Sequence, residues 1–135
     1  MADEAIIVEL LGNKGDPIRY TVADGTGIAK GSVMELTTPR TMKIVSAVDK
    51  PICGILASEK VANDGETSVA VYTNGIFQMT CGAAEAAVLG QAVSAGAVVN
   101  EINTSSTLDV EKGWNIGWAM ETLAGNATGM VRVLK

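Results

Sequence analysis

The fold is indicated most directly by Thr67–Thr80, TSVAVYTNGIFQMT, in which two runs of β-forming residues flank Asn74-Gly75. Valine, isoleucine, tyrosine and phenylalanine favour extended strands, and larger apolar residues recur at every second position of the first run. Asn-Gly is a favoured centre for a two-residue hairpin, because both residues tolerate the positive φ of a type I′ turn. We therefore predict a β-hairpin that turns at Asn74 and Gly75.

The same pattern extends along the whole chain of 135 residues, in which 15 glycines punctuate short runs rich in valine, isoleucine, threonine and methionine. Many short strands joined by tight turns are typical of an all-β barrel or sandwich. Asn63-Asp64-Gly65 predicts a further turn, and Gly82–Leu89 is the one segment with helical composition. The predicted strands are Ile18–Ala23, Ser32–Thr37, Met42–Val48, Ile52–Ser58, Thr67–Thr73, Ile76–Thr80, Ala97–Ile102, Ile116–Thr122 and Met130–Leu134.

A faint internal two-fold repeat relates the two halves of the chain. The paired blocks are Ile28–Met34 with Ala87–Val93, Asp49–Ala57 with Lys112–Met120, and Val69–Val71 with Val131–Val133. Each unit contains a strand after a glycine and then a glycine-containing strand that packs closely against a neighbour. Two such units predict a small β-barrel or β-clip-like domain.

The first 17 residues differ from the rest. The apolar run Ala5–Leu11 is followed by Gly12–Pro17, GNKGDP, whose residues favour a hinge. Such a run is either an edge strand of this chain or an extended arm that pairs with another chain. We divide the chain into an N-terminal arm, residues 1–17, and a β-rich domain, residues 18–135.

Composition narrows the chemistry. The chain has no histidine, which removes Ser-His and Cys-His pairs and most zinc enzymes. Its net charge of −5 and its lack of a lysine and arginine cluster argue against binding nucleic acid. Glu59, Asp64 and Glu66 match no calcium loop, so we expect no metal or other cofactor. No apolar run approaches the ~18–20 residues that span a bilayer, and the N-terminus lacks the basic start of a signal peptide, so we expect a cytosolic product with no membrane partner.

The two cysteines, Cys53 and Cys81, lie beside apolar residues. Two cysteines are too few for a disulfide scaffold. We expect buried thiols, with a Cys53–Cys81 pair as the alternative.

Four blocks of the sequence, in their order and spacing, resemble the small head-decoration or capsid-cement proteins of tailed phages, including lambda-type decoration proteins. The blocks are IAKGSVMEL from Ile28, PICGILA from Pro51, TSVAVYTNGIFQM from Thr67 and GWAMETL…GMVRVLK from Gly117. The resemblance covers residues 15–135. It implies a β-rich domain that attaches to the outer surface of an expanded capsid, commonly as a trimer. There it would clamp neighbouring major capsid protein subunits against the pressure of packaged DNA, in a virion assembled from proteins made in the host cytoplasm.

The resemblance also suggests roles for individual residues. Members of this family often contact the capsid through an N-terminal segment, which here corresponds to Ile6, Ile7, Val8, Leu10 and Leu11. Large apolar groups are enriched at subunit interfaces, which suggests a homotrimer interface that includes Phe77, Met79, Trp114 and Trp118. The two tryptophans are four residues apart, so on one strand they would share a face.

Two other classes of function remain open. Another self-assembling phage structural protein, such as a tail-tube, spike or shell domain, has a similar composition. A small ligand-binding β module is the second alternative, with carboxylates and hydroxyls as its polar groups.

Overall fold

Short strands form where the sequence alternates apolar and polar residues. A computed structural model describes residues 3–45, 47–83 and 86–135. Within them lie β1 Ile6–Leu10, β2 Ile18–Thr21, β3 Val33–Thr38, β4 Thr41–Ile44, β5 Ile52–Leu56, β6 Ser68–Tyr72, β7 Asn74–Cys81, β8 Ala92–Ala95, β9 Glu101–Thr104, α1 Thr107–Lys112, β10 Gly117–Ala119 and β11 Thr128–Leu134. Among the described residues there is no helix with the length and apolar character needed to cross a membrane.

The first barrel contains the strands β2 to β6. They are hydrogen-bonded in the closed order β2-β4-β3-β5-β6, and β6 pairs antiparallel with β2. A parallel contact between Thr21 and Thr41 joins β2 to β4. The interior of this barrel is filled by Val22, Ile28, Met34, Met42, Cys53, Leu56, Val69 and Val71.

The second barrel contains the strands β7 to β11. Their sheet has the order β1-β7-β11-β10-β8-β9, and a parallel pairing of β7 with β9 closes the five strands β7–β11 into a ring. Strand β1 lies outside this ring, antiparallel to β7. The prediction of an all-β fold built on a small barrel is therefore confirmed.

Strand pairing follows the same order in both barrels, with β7 to β11 in the places of β2 to β6. The pair Met34–Gly54 in the first barrel occupies the place of Val93–Gly117 in the second. The isolated bridges Ile28–Lys60 and Ala87–Leu123 occupy matching places as well.

Beside the separate interior of the first barrel, a second hydrophobic core is shared between the two barrels. Successive side chains of a strand point to opposite faces, so Met34 faces the interior of the first barrel and Val33 points out of it. Val33 packs in the same cluster as Phe77 in the interior of the second barrel. Its backbone N–H also donates to the buried Asn100 Oδ1 at 2.9 Å. The outer face of the first barrel therefore packs against the second barrel.

The predicted hairpin at Asn74-Gly75 is wrong. Tyr72 ends β6 in the first barrel and Asn74 begins β7 in the second, so the chain crosses between the barrels here. Gly75 is required for another reason, since a Cβ at this position would lie 2.8 Å from the carbonyl oxygen of Glu9 in β1. The turn at Asn63-Asp64-Gly65 is confirmed, with φ of 60° at Asn63 and 85° at Gly65.

The predicted helix over Gly82–Leu89 is also wrong. Residues 82–83 and 86–89 are not helical, and Ala84 and Glu85 lie outside the described residues. The helix is α1, which begins after Ser106, whose side chain accepts from the N–H of Asp109 in a capping box, and ends at Gly113 with φ of 71°.

Two strand predictions also need correction. Residues 97–102 do not form one strand, because β8 ends at Ala95 and β9 starts at Glu101 after Asn100 with φ of 67°. The strand predicted over Met42–Val48 ends at Ile44, and Ser46 within it lies outside the described residues.

Candidate functional surface

Strand β1 presents the most concentrated exposed apolar surface of the N-terminal segment. Ile6 is 60% and Val8 47% exposed, and Ile7 is also exposed, whereas Leu10 and Leu11 are half-buried. One edge of β1 pairs with β7, with an irregularity between Ile7 and Glu9. Because β1 is the last strand of its sheet, its other edge is free of strand pairing among the described residues.

The N-terminal segment is anchored to both barrels. The N–H of Ala5 donates to the carbonyl of Gly31 in the first barrel at 2.8 Å, and Ala5 is buried in the shared core. Leu10 packs against the same core. Of the two alternatives for this segment, the folded chain therefore has the edge strand.

The four residues predicted for a subunit interface separate into two groups. Phe77 and Met79 are buried in the core and offer no surface to a neighbouring subunit in this conformation. Trp118 lies on β10 and is 40% exposed, with the Arg132 guanidinium 5.8 Å from its ring centroid. Trp114 is half-buried, and the Nζ of Lys112 lies 4.4 Å from the centroid of its ring.

The two tryptophans do not share a strand. Trp114 lies just after Gly113, which ends α1, and β10 begins at Gly117. The expectation of one shared face required both tryptophans to lie on one strand, and Trp114 lies in the segment before β10.

A cleft lies at the first barrel, between its strands and the segment that follows α1. Its volume is about 330 Å³, and its lining includes Ile18, Tyr20, Leu36, Cys53 and Trp114. Lys112 and Lys135 lie at the same cleft. Lys135 donates from Nζ to the carbonyls of Gly113 and Asn115, each at 2.7 Å, so that C-terminal side chain is fixed in place.

Of the carboxylates considered as cation ligands, Asp64 binds a lysine instead, together with Asp24. The buried Lys60 Nζ donates to Asp24 Oδ1 at 2.9 Å and to Asp64 Oδ1 at 2.6 Å. Burial alone would lower the pKa of Lys60, but these carboxylates outweigh it and raise the pKa above its usual value. The same hydrogen bond lowers the pKa of Asp64. Lys60 therefore fixes the loop that follows it.

The groups that could carry chemistry are dispersed. In the described part of the chain, no three cysteine, aspartate or glutamate residues come together as metal ligands. Cys53 and Cys81 are buried and not bonded to each other, which confirms the prediction of buried thiols. Burial raises the pKa of Cys53 to about 12, so this thiol is unreactive at neutral pH.

The structure is thus a pair of small barrels with an exposed apolar strand at the edge of one sheet. The family model for phage cement proteins matches residues 12–134. The chain belongs to this family, which is structural and implies a location on the virion capsid. A search of curated proteins finds no match.

Proposed function

We propose that this protein binds the outer surface of the expanded capsid and stabilises it by clamping adjacent major capsid protein subunits. The observation that supports this most is strand β1, which carries the exposed Ile6, Ile7 and Val8 and has an open edge. Family membership supports a capsid role, and β1 is the surface to which we assign the contact.

The contact would form by strand addition. An extended segment of a capsid subunit pairs with the open edge of β1, which satisfies backbone hydrogen bonds, while apolar side chains fill grooves on the subunit. Because β1 is held by Gly31 in one barrel and by β7 in the other, it is ordered before binding. Preorganisation reduces the entropy lost on association.

Stabilisation follows from mass action. A ligand that binds the expanded capsid and not its precursor favours the expanded state by its free energy of binding at each site. Many copies on one capsid multiply this contribution. The protein would need neither a cofactor nor nucleic acid for this role, and it would be made in the host cytoplasm before it joins the capsid.

We further propose that the protein is a homotrimer on the capsid. Trp118, which is exposed, and Trp114, which lines the cleft, are the residues assigned to the subunit interface. Phe77 and Met79 would act from the core, by supporting the strands that carry this surface.

The proposal is tested by co-sedimentation with capsids that lack this protein, before and after expansion. Deletion of residues 1–12 is a poor probe, because it removes Ala5 and Leu10 from the core. Val8→Lys is better, and Val61→Lys is its matched control, since Val61 is 53% exposed in a loop. Burying the exposed half of Val8 is worth ~1 kcal/mol, and burying an ammonium without a partner costs more.

We expect saturable binding of the wild-type protein to expanded capsids alone. V8K should weaken this binding by about tenfold or more, while V61K should match the wild type. Equal binding of V8K and V61K would contradict the role of β1. Equal binding to both forms of the capsid would contradict stabilisation by linkage, and no binding to either would favour another self-assembling phage structural protein.

A further inference from the structure

The matching strand order of the two barrels identifies equivalent positions in the two halves of the chain. Val33 pairs with Ile55 in the first barrel, and Ala92 pairs with Trp118 in the second. Trp118 therefore occupies the position of Ile55. Leu56 pairs with Val71, and its counterpart Ala119 pairs with Val131, so Val131 occupies the position of Val71, two residues from the match with Val133 expected from the sequence. Phe77, which pairs with Val131, therefore occupies the position of Ile18, which pairs with Val71.

Equivalent positions are buried differently at the junction between the barrels. Ile55 points out of the first barrel and is 1% exposed, because it packs in the shared core with Phe77 of the second barrel, itself fully buried. The outer face around Ile55 thus covers the part of the second barrel where Phe77 lies.

Neither equivalent surface is fully covered by the described residues. Ile18, in the position of Phe77, is 39% exposed and lines the 330 Å³ cleft with Leu36. Trp118, in the position of Ile55, is 40% exposed. In the second barrel the surface around Phe77 is covered, but the equivalent surface of the first barrel, around Ile18, is open. In the first barrel the face around Ile55 is buried against the second barrel, but the equivalent face of the second barrel, around Trp118, is exposed.

We propose that the Trp118 face of one copy binds the Ile18–Leu36 cleft of the next copy, so that the junction within each chain is repeated between chains. Arg132, beside Trp118, is already held by Asn74 Oδ1 at 2.6 Å and by the carbonyl of Val133 at 2.8 Å. The indole is consequently the group presented to the neighbouring copy, and large aromatic side chains are the usual anchors of such contacts.

The two surfaces are different, so the contact is heterologous and joins copies head to tail. A heterologous contact that closes gives a ring. The copy number of three rests on the homotrimer of the proposed function, and a closed ring of three copies would contain six barrels. The contact itself is independent of capsid binding and can be tested separately.

Cysteine trapping distinguishes this contact from a symmetric one. Protein carrying Trp118→Cys is mixed with protein carrying Leu36→Cys and oxidised, once at the highest soluble concentration and once on expanded capsids. Disulfide-linked dimers should form in the W118C and L36C mixture and be absent when either variant is oxidised alone. The buried native Cys53 and Cys81 remain in place, and Val61→Cys mixed with L36C controls for random collisions.

Each cross-linking result either supports the head-to-tail contact or contradicts it. A cross-link confined to the W118C and L36C mixture supports head-to-tail contact, whether it forms in solution or on the capsid. Cross-linking of W118C with itself, cross-linking equal to that of V61C, or no cross-link under either condition would overturn it. Thermal unfolding verifies that each variant is folded. If W118C does not fold, Ala92→Cys replaces it, because Ala92 is the residue paired with Trp118. Failure of capsid binding would leave the solution arm unaffected.

Discussion

Replacement of Gly31 by alanine should destabilise the protein more than the same replacement at Gly90. The two glycines occupy matching positions in the two barrels and have nearly equal φ, 90° and 87°. A Cβ on Gly31 would lie 2.5 Å from the carbonyl oxygen of Ala5, whereas a Cβ on Gly90 would have no atom within 4 Å. Gly90→Ala therefore measures the backbone cost alone, and Gly31→Ala adds the cost of displacing the N-terminal segment.

The magnitude follows from the contacts that the new methyl group would break. A positive φ costs a residue with a Cβ roughly 1–2 kcal/mol, which both variants lose. Gly31→Ala also breaks the 2.8 Å hydrogen bond from the N–H of Ala5, which is worth about 0.5–1.5 kcal/mol, and exposes the buried Ala5 methyl, worth ~0.8 kcal/mol. We expect G31A to lose about 1.3–2.3 kcal/mol more than G90A.

Urea denaturation, followed by tryptophan fluorescence and by circular dichroism, measures this difference. The free energies of unfolding of both variants are compared with that of the wild type, provided that the two signals coincide. Equal losses in G31A and G90A would refute the packing of the N-terminal segment against the first barrel, because the two variants differ only in that contact.

Three further predictions concern charge and packing. The hydrogen bond and charge of Asp109 raise the pKa of Asp49, so the folded protein favours the protonated form of Asp49. The stability from this pair is therefore present below about pH 4 and is lost as the pH rises through the raised pKa. Asp49→Asn should therefore be more stable than the wild type at pH 7 and equal to it at low pH in thermal melts, and no change in the difference with pH would contradict this. Phe77→Ala should lower the free energy of unfolding, measured by urea denaturation, by ~3–5 kcal/mol, and Ile18→Ala should lower it by less than half as much. Equal losses would contradict the burial of Phe77 and the exposure of Ile18. Lys60→Met should accelerate hydrogen exchange in its loop, because two carboxylates lose their cation, and unchanged exchange would count against the ion pairs.

The all-β class could be predicted because strand propensity and glycine spacing are local properties. The close packing of the glycine-containing strands was also predictable, because a Cβ at Gly54 or at Gly117 would meet the backbone of the neighbouring strand. The path of the chain between strands depends on tertiary packing. At Asn74-Gly75 a favourable hairpin sequence instead crosses between barrels, and its glycine is required by the neighbouring β1.

The candidate surface was only partly predictable for a related reason. Apolar composition does not indicate which side of a strand faces the core, so Phe77 and Trp118 looked alike in the sequence and differ completely in exposure. The position of Trp114 depended on α1, a helix of six residues whose best signal was the capping pair Ser106 and Asp109. Ile6, Ile7 and Val8 are exposed on β1, but the anchoring of their segment to Gly31 is a long-range contact that the sequence does not indicate.

The most direct test of the account is the thermal stability of expanded, DNA-filled capsids that lack this protein, measured by the temperature at which DNA becomes accessible to a dye. Addition of wild-type protein should raise that temperature until the binding sites are saturated, V61K should act like the wild type, and V8K should need a higher concentration for the same increase. A release temperature that does not change at saturating occupancy of the capsid would contradict the proposal that this protein stabilises the expanded capsid.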